Sequence, residues 1–379
     1  MSKKKSKLQL AQDQAVAAIN KTNEKINELG AHTYTLYSEL SSIQEAFDAI
    51  RNVPSKNKIQ YEELKGIGLN WKYQAEKIMK DYNNAVVKKT GAGAAGAAIG
   101  AAMVSMGPTV AMGVATTFGV ASTGTAISAL SGAAATNAAL AWLGGGALTA
   151  GGGGMAAGEA FLALAGPVGW AFAGASLITS TIILWKGVSD KKQIEYMFTA
   201  ISQRDVISYE LAIVELNERI SRIVDESKKL HEANEAIRTF GLDYDAMTEA
   251  QQYALGAYVN LMNASTQLLV NPILGLQPKY SEADFEKFIS HEPDKVKAKQ
   301  YSDYKVLIIS LANLLYKIGL NERDKKLLWK AFRENKEMLK SMNISKKEFD
   351  MEIMNAVINA LCYKYRTCQK QMTSGLFCS

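Results

Sequence analysis

Between Thr90 and Trp185 the chain runs for 96 residues with one charged side chain, Glu159. This block holds 20 of the 29 glycines and 28 alanines, whereas the remaining 283 of the 379 residues carry 79 charges. A stretch so bare of charge is not an ordinary solvated surface and has to be covered, either by protein or by the hydrocarbon of a bilayer. A chain divided this way is not built around one evenly mixed core. Outside the block, helix formers dominate and prolines are few, only 6 in the whole chain. The expected fold class is therefore all-α: an elongated helical bundle or coiled coil with a Gly/Ala-rich apolar hairpin.

Hydrophobic periodicity outlines the parts on either side. Over residues 8–50, Leu29, Leu36, Ile43 and Ile50 recur every seven residues, with Ile19, Ile26, Thr33, Leu40 and Phe47 as the companion row. That is a coiled-coil seam, and a helix of this length reaches roughly 65 Å. Pro54 and its neighbours break it, and a second helix is expected from about 61 to 89, with Gly66 and Gly68 weakening its start. A third runs from about 191 to 240, carrying Tyr209, Leu216, Ile223, Leu230 and Ile237 beside Val206, Ile213 and Ile220. Gly241 is placed to cap it. The simplest arrangement pairs the two heptad-bearing arms as an antiparallel stalk with the block at one end. Further helices are expected over 246–270, 281–290, 298–318, 322–342 and 346–368, the last begun by a Ser345-x-x-Glu348 capping box. The domain reading is 1–90, 91–186, 187–241 and 242–379.

A bilayer core about 30 Å thick needs ~20 apolar residues per helix, so the block has room for three or four passes. The best division is 91–121, 124–143 and 156–185, with the glycine-rich 144–154 as a turn. Small residues four apart let helices approach closely in lipid, where water cannot drive association. Gly96 and Gly100 fit this spacing, as do Gly154 and Gly158, and Gly169 follows Ala165 at the same interval; Gly107 continues a row from Gly100. Gly107-Pro108 and Gly166-Pro167 read as hinges. Trp170 lies in the third pass and Trp185 ends it, next to Lys186, as an interfacial anchor does. Glu159, the one acid, belongs either in a water-filled path or among headgroups near the glycine turn. Glycine and alanine are only marginally apolar. A block made of them can be stored against soluble helices and later enter lipid, which a Leu/Ile-rich block would do at synthesis. A resident membrane anchor and a wholly soluble alanine-rich core are the competing explanations.

Chemistry is hard to find. His32, His231 and His291 are far apart and lack zinc spacing, so no metal or cofactor is expected. The GGGGMAAG run at 151–158 lacks the Gly-Lys-Ser/Thr ending of a phosphate loop, and no GxSxG elbow occurs. No enzymatic activity is expected. The net charge of +6 is too diffuse to suggest nucleic acid, though it favours approach to anionic lipid. Cys362, Cys368 and Cys378 give no disulfide framework and suggest a reducing interior. The start, MSKKKSKLQLAQDQ, is basic but has no apolar run after it, unlike a secretory signal. Synthesis in the cytoplasm followed by a soluble-to-membrane transition is the expectation.

The order of parts over residues 1–240 (long arm, small-residue apolar hairpin, returning long helix) resembles α-helical pore-forming proteins of the cytolysin A type. The hairpin is also similar to that of apolipoprotein L-like channel formers, and 123–160 looks like a segment that recurs beside coiled coils in bacterial proteins. Here the hairpin is longer and richer in glycine than a cytolysin tongue. The resemblance carries over no individual residue. It implies membrane permeabilisation by a bacterial toxin or defence effector, with a lipid bilayer and further copies of the chain as partners. The runner-up is a membrane-anchored coiled-coil scaffold without a pore. The C-terminal helices remain a candidate docking site for a second protein.

Overall fold

The heptad rows become the interior of a helical bundle. The computed structural model describes residues 6–89, 112–113, 115–117, 188–276, 279–334, 339 and 344–365. Helix α1, Lys7–Asp48, starts at Ser6, whose hydroxyl accepts from the Gln9 amide while the Gln9 side chain reaches back, closing a capping box. It buries Ile26, Leu29, Leu36, Leu40, Ile43 and Phe47 in one core. Pro54 stops continuation, and α2, Ser55–Lys89, folds back along α1. The Tyr61 hydroxyl donates to the Gln44 carbonyl at 2.9 Å and to Asp48 at 2.7 Å, and the Trp71 ring packs 5.5 Å from that of Tyr37. Helix α2 begins six residues earlier than its sequence suggests. Gly66 and Gly68 lie inside it, with open space where a side chain would be, so they mark no boundary.

Helix α3, Val188–Ile237, is the longest at 50 residues, and it packs along α1. Its row Tyr209, Leu216, Ile223, Leu230 and Ile237 is buried throughout. The expected antiparallel pairing of the two arms is overturned: α1 and α3 run parallel. Leu8 shares a core with Ile194 and Phe198, Glu39 meets His231 and Asn234, and Arg51 bonds Leu242 and Tyr244, all in the same chain order. The reason is topological. The chain reverses once at 49–54 and again across the apolar block, and two reversals restore the direction of α1. Helix α2, not α1, leads into the block and opposes α3.

A short 3₁₀ turn, Tyr244–Ala246, leads to α4, Glu249–Val270, capped by Thr248. Gly241 does adopt the left-handed conformation (φ 82°), but α3 ends at Ile237, so the glycine shapes the connection rather than the cap. Helix α4 returns along α3. The Phe240 and Tyr258 rings stack, and the Arg219 guanidinium donates at 2.7 Å to the carbonyls of both Leu268 and Asn271, the free end of α4. Helices α1 to α4 thus form one four-helix core.

The remaining helices build a second core around the first third of α3. They are α5, Glu282–Ser290; α6, Lys295–Asp303; α7, Lys305–Leu315; α8, Glu322–Glu334; and α9, Met351–Tyr365. The expected 298–318 helix is broken at Tyr304 into α6 and α7. The Ser345–Glu348 capping box does close, but on a turn; α9 starts later, with Asp350 accepting from the Ile353 amide at 3.0 Å. Cys362 is disulfide-bonded, although the sequence suggested no disulfide framework; Cys368 and Cys378 lie outside the described residues. Among the described residues no β-strand forms, and a single parallel bridge joins Arg51 and Asp243.

Several polar contacts fasten this second body to α3, among them Gln193 donating to Asp324 at 2.9 Å and Arg323 to Asp190 at 2.9 Å. The Arg204 guanidinium donates to the Leu314 carbonyl at 2.9 Å and to that of Tyr316, capping α7, and also holds Asp205. Burial pushes the Asp205 carboxyl up from its ordinary value, and Arg204 pulls it back only in part.

Candidate functional site: where the apolar block meets the bundle

Residues 112–113 and 115–117 belong to the nearly charge-free block, and all are buried in the four-helix core. They are helical and rest on the middle of α1, at Ile26 and Gly30. The contact depends on glycine at position 113. A Cβ on Gly113 would stand 2.2 Å from the Ile26 carbonyl oxygen, 3.1 Å from the Gly30 nitrogen and 3.2 Å from the Gly30 Cα. Backbone here touches backbone, which no residue with a side chain permits. Met112 and Ala115 join Ile26, Leu29 and Leu36 in the core cluster.

Polar groups fix the end of this stretch. The Ile273 amide, in the connection after α4, donates to the Thr117 carbonyl at 2.6 Å. The Thr117 hydroxyl donates back to the Gly113 carbonyl at 2.7 Å. Ile273 is itself held in the core, and the following Gly275 amide donates to Glu215 on α3 at 2.7 Å. The stretch is therefore tied to α1 by packing and to α3 and α4 through that connection. The hydroxyls of Thr33 and Thr116 are buried and find no hydrogen-bond partner among the described residues. An unpaired buried hydroxyl costs on the order of 1–3 kcal/mol, so this seat binds less tightly than an all-apolar one of the same shape.

All of the residues expected to insert or to pack helices lie outside the described residues: Gly96, Gly100, Gly107, Pro108, Gly154, Gly158, Glu159, Gly166, Pro167, Gly169, Trp170 and Trp185. Gly113 and Gly30 were not singled out by spacing. The available signal was Gly30 itself, a residue about 1 kcal/mol worse than alanine inside a helix, sitting between seam positions of a long coiled coil. Such a glycine asks for a close neighbour.

The histidines do not converge: His231 faces Glu39, and His291 meets the Tyr363 hydroxyl at 2.8 Å. Among the described residues no group of three or more His, Cys, Asp or Glu is placed to hold a metal, and no helix is long and apolar enough to cross a membrane. Set against known families, characterised proteins and solved structures, the chain matches none.

Proposed function

We propose that this chain is a membrane-permeabilising protein that stores its Gly/Ala block against a helical bundle, delivers it into a bilayer and assembles there into a pore. No enzymatic step is involved. A bacterial toxin or a defence effector acting on its own cell is the setting that suits this reading.

The supporting observation is the seat at Gly113. Part of a 96-residue, nearly charge-free block is docked on soluble helices by contacts between small residues and one backbone hydrogen bond, with two hydroxyls left unpaired. Burying glycine and alanine removes little apolar area from water, at about 25 cal/mol per Å², so such docking is weak for its length. The same small residues favour close helix packing once in lipid. Because no described helix can span a membrane, the spanning segments in this reading come from the block.

The test is dye release from liposomes by detergent-free protein, with flotation run in parallel. The expected result is leakage and lipid-bound protein, both stronger with anionic lipid. Ala171→Lys, costing roughly 3 kcal/mol at the centre of a spanning helix, should reduce both. Protein that neither floats nor leaks would overturn the reading. Protein that floats without leaking would replace it with the anchored scaffold.

A further inference from the structure

Helix α3 carries apolar side chains on two opposite faces, but the second face is apolar over only part of its length. Opposite the buried seam, Tyr196, Ile207, Leu211 and Val214 are 59–68% exposed. At 100° per residue these four fall within about 60° of one another, in a stripe roughly 27 Å long bordered on one side by exposed Gln203 and Glu210. From Glu218 to Glu232 the same face carries Glu218, Arg222, Asp225 and Lys229, with Ser221 as an uncharged member, all of them exposed. That half shows how this helix treats a face left to water. Single exposed apolar residues are ordinary, but a row spaced for one helix face calls for a cover.

We propose that the stripe is a self-association surface, on which α3 of one copy pairs antiparallel with α3 of a second copy about a two-fold axis midway between Tyr196 and Val214. Charge selects this arrangement. Lys192 stands one turn before the stripe and Glu218 one turn after it, both exposed. In the antiparallel pair, Tyr196 faces Val214 of the second copy and Lys192 faces its Glu218 at each end. A parallel pair would stack like charges. Four large side chains exposed to this degree offer roughly 500 Å² of surface per copy, or about 1,000 Å² in the pair, which reaches the lower limit of a specific interface. The inference rests on the assembly part of the function proposed above, but its test needs no lipid.

The experiment is sedimentation velocity on the full chain at up to about 100 µM. The wild type should be a dimer, and Leu211→Glu should weaken the dimer at least tenfold without loss of helicity. Lys192→Glu should also weaken it, and adding Glu218→Lys should restore it, because the reversed pair faces itself across the axis. A monomeric wild type, a dimer indifferent to Leu211→Glu, or a failed rescue would overturn the proposal. Leakage by a wild type that is monomeric in solution would sink the pairing and leave the membrane reading standing. A rescued dimer that never leaks would do the reverse.

Discussion

Gly113→Ala adds one methyl group where the structure has no room for it. The new carbon would lie 2.2 Å from the Ile26 carbonyl oxygen. Carbon–oxygen contacts normally begin near 3.3 Å, so the crossing has to open by about 1 Å. The three nearest atoms, the Ile26 carbonyl oxygen and the Gly30 nitrogen and Cα, are all backbone atoms of α1, and none can rotate away. Overpacking of this kind costs roughly 1–3 kcal/mol, while alanine recovers about 0.5–1 kcal/mol in a helix. The docked state should lose about 1–2 kcal/mol, a factor of 5–30 in its population relative to the undocked state. The reporter is the Ile273 amide, which donates to the Thr117 carbonyl only while the stretch is seated. Its hydrogen exchange should speed up by about tenfold in Gly113→Ala, and vesicle binding should rise in the same variant. The amides of Leu36 and Leu216, in the middle of α1 and α3, should keep their protection, showing that the bundle is intact. An Ile273 amide that exchanges as in the wild type, with unchanged vesicle binding, would refute the claim that the glycine crossing holds this stretch down.

Three further outcomes can be checked by thermal unfolding. Trp71, fully buried against Tyr37, has an indole nitrogen with no partner among the described residues; Trp71→Phe should therefore be tolerated, while Trp71→Ala should cost roughly 3–5 kcal/mol. Burial raises the Asp205 carboxyl above its ordinary value, so the folded state binds that proton more readily than the unfolded chain does. Stability should therefore rise on acidification through the window between the two values, and Asp205→Asn should flatten that rise. Asp350→Ala removes the acceptor at the start of α9 and should cost about 1 kcal/mol, whereas Ser345→Ala, on the preceding turn, should cost less.

The seams were legible because burial repeats with the helix period: Leu29, Leu36, Tyr209 and Leu216 are buried as spaced. Their direction was not. A heptad row reads the same from either end, so parallel packing of α1 and α3 is visible only in pairs such as Glu39 with Asn234. The break at Tyr304 left no proline or glycine to mark it. Ser345 and Glu348 formed the bonds their spacing promised, yet Asp350 competes from a position nearer the first buried turn of α9. The seat at Gly113 depends on a backbone approach to a residue more than eighty positions away, which local spacing does not encode.

The central claim is that the block leaves its seat and enters lipid. Three of the five tryptophans, Trp142, Trp170 and Trp185, lie in the block; Trp71 is buried in the bundle and Trp329 is tied to the Phe349 carbonyl. The direct measurement is tryptophan quenching in vesicles whose acyl chains carry bromine at mid-depth, using a Trp71→Phe, Trp329→Phe background so that only block residues emit. Insertion predicts strong quenching that Ala171→Lys reduces. Emission untouched by bromine, in vesicles to which the protein is bound, would contradict it.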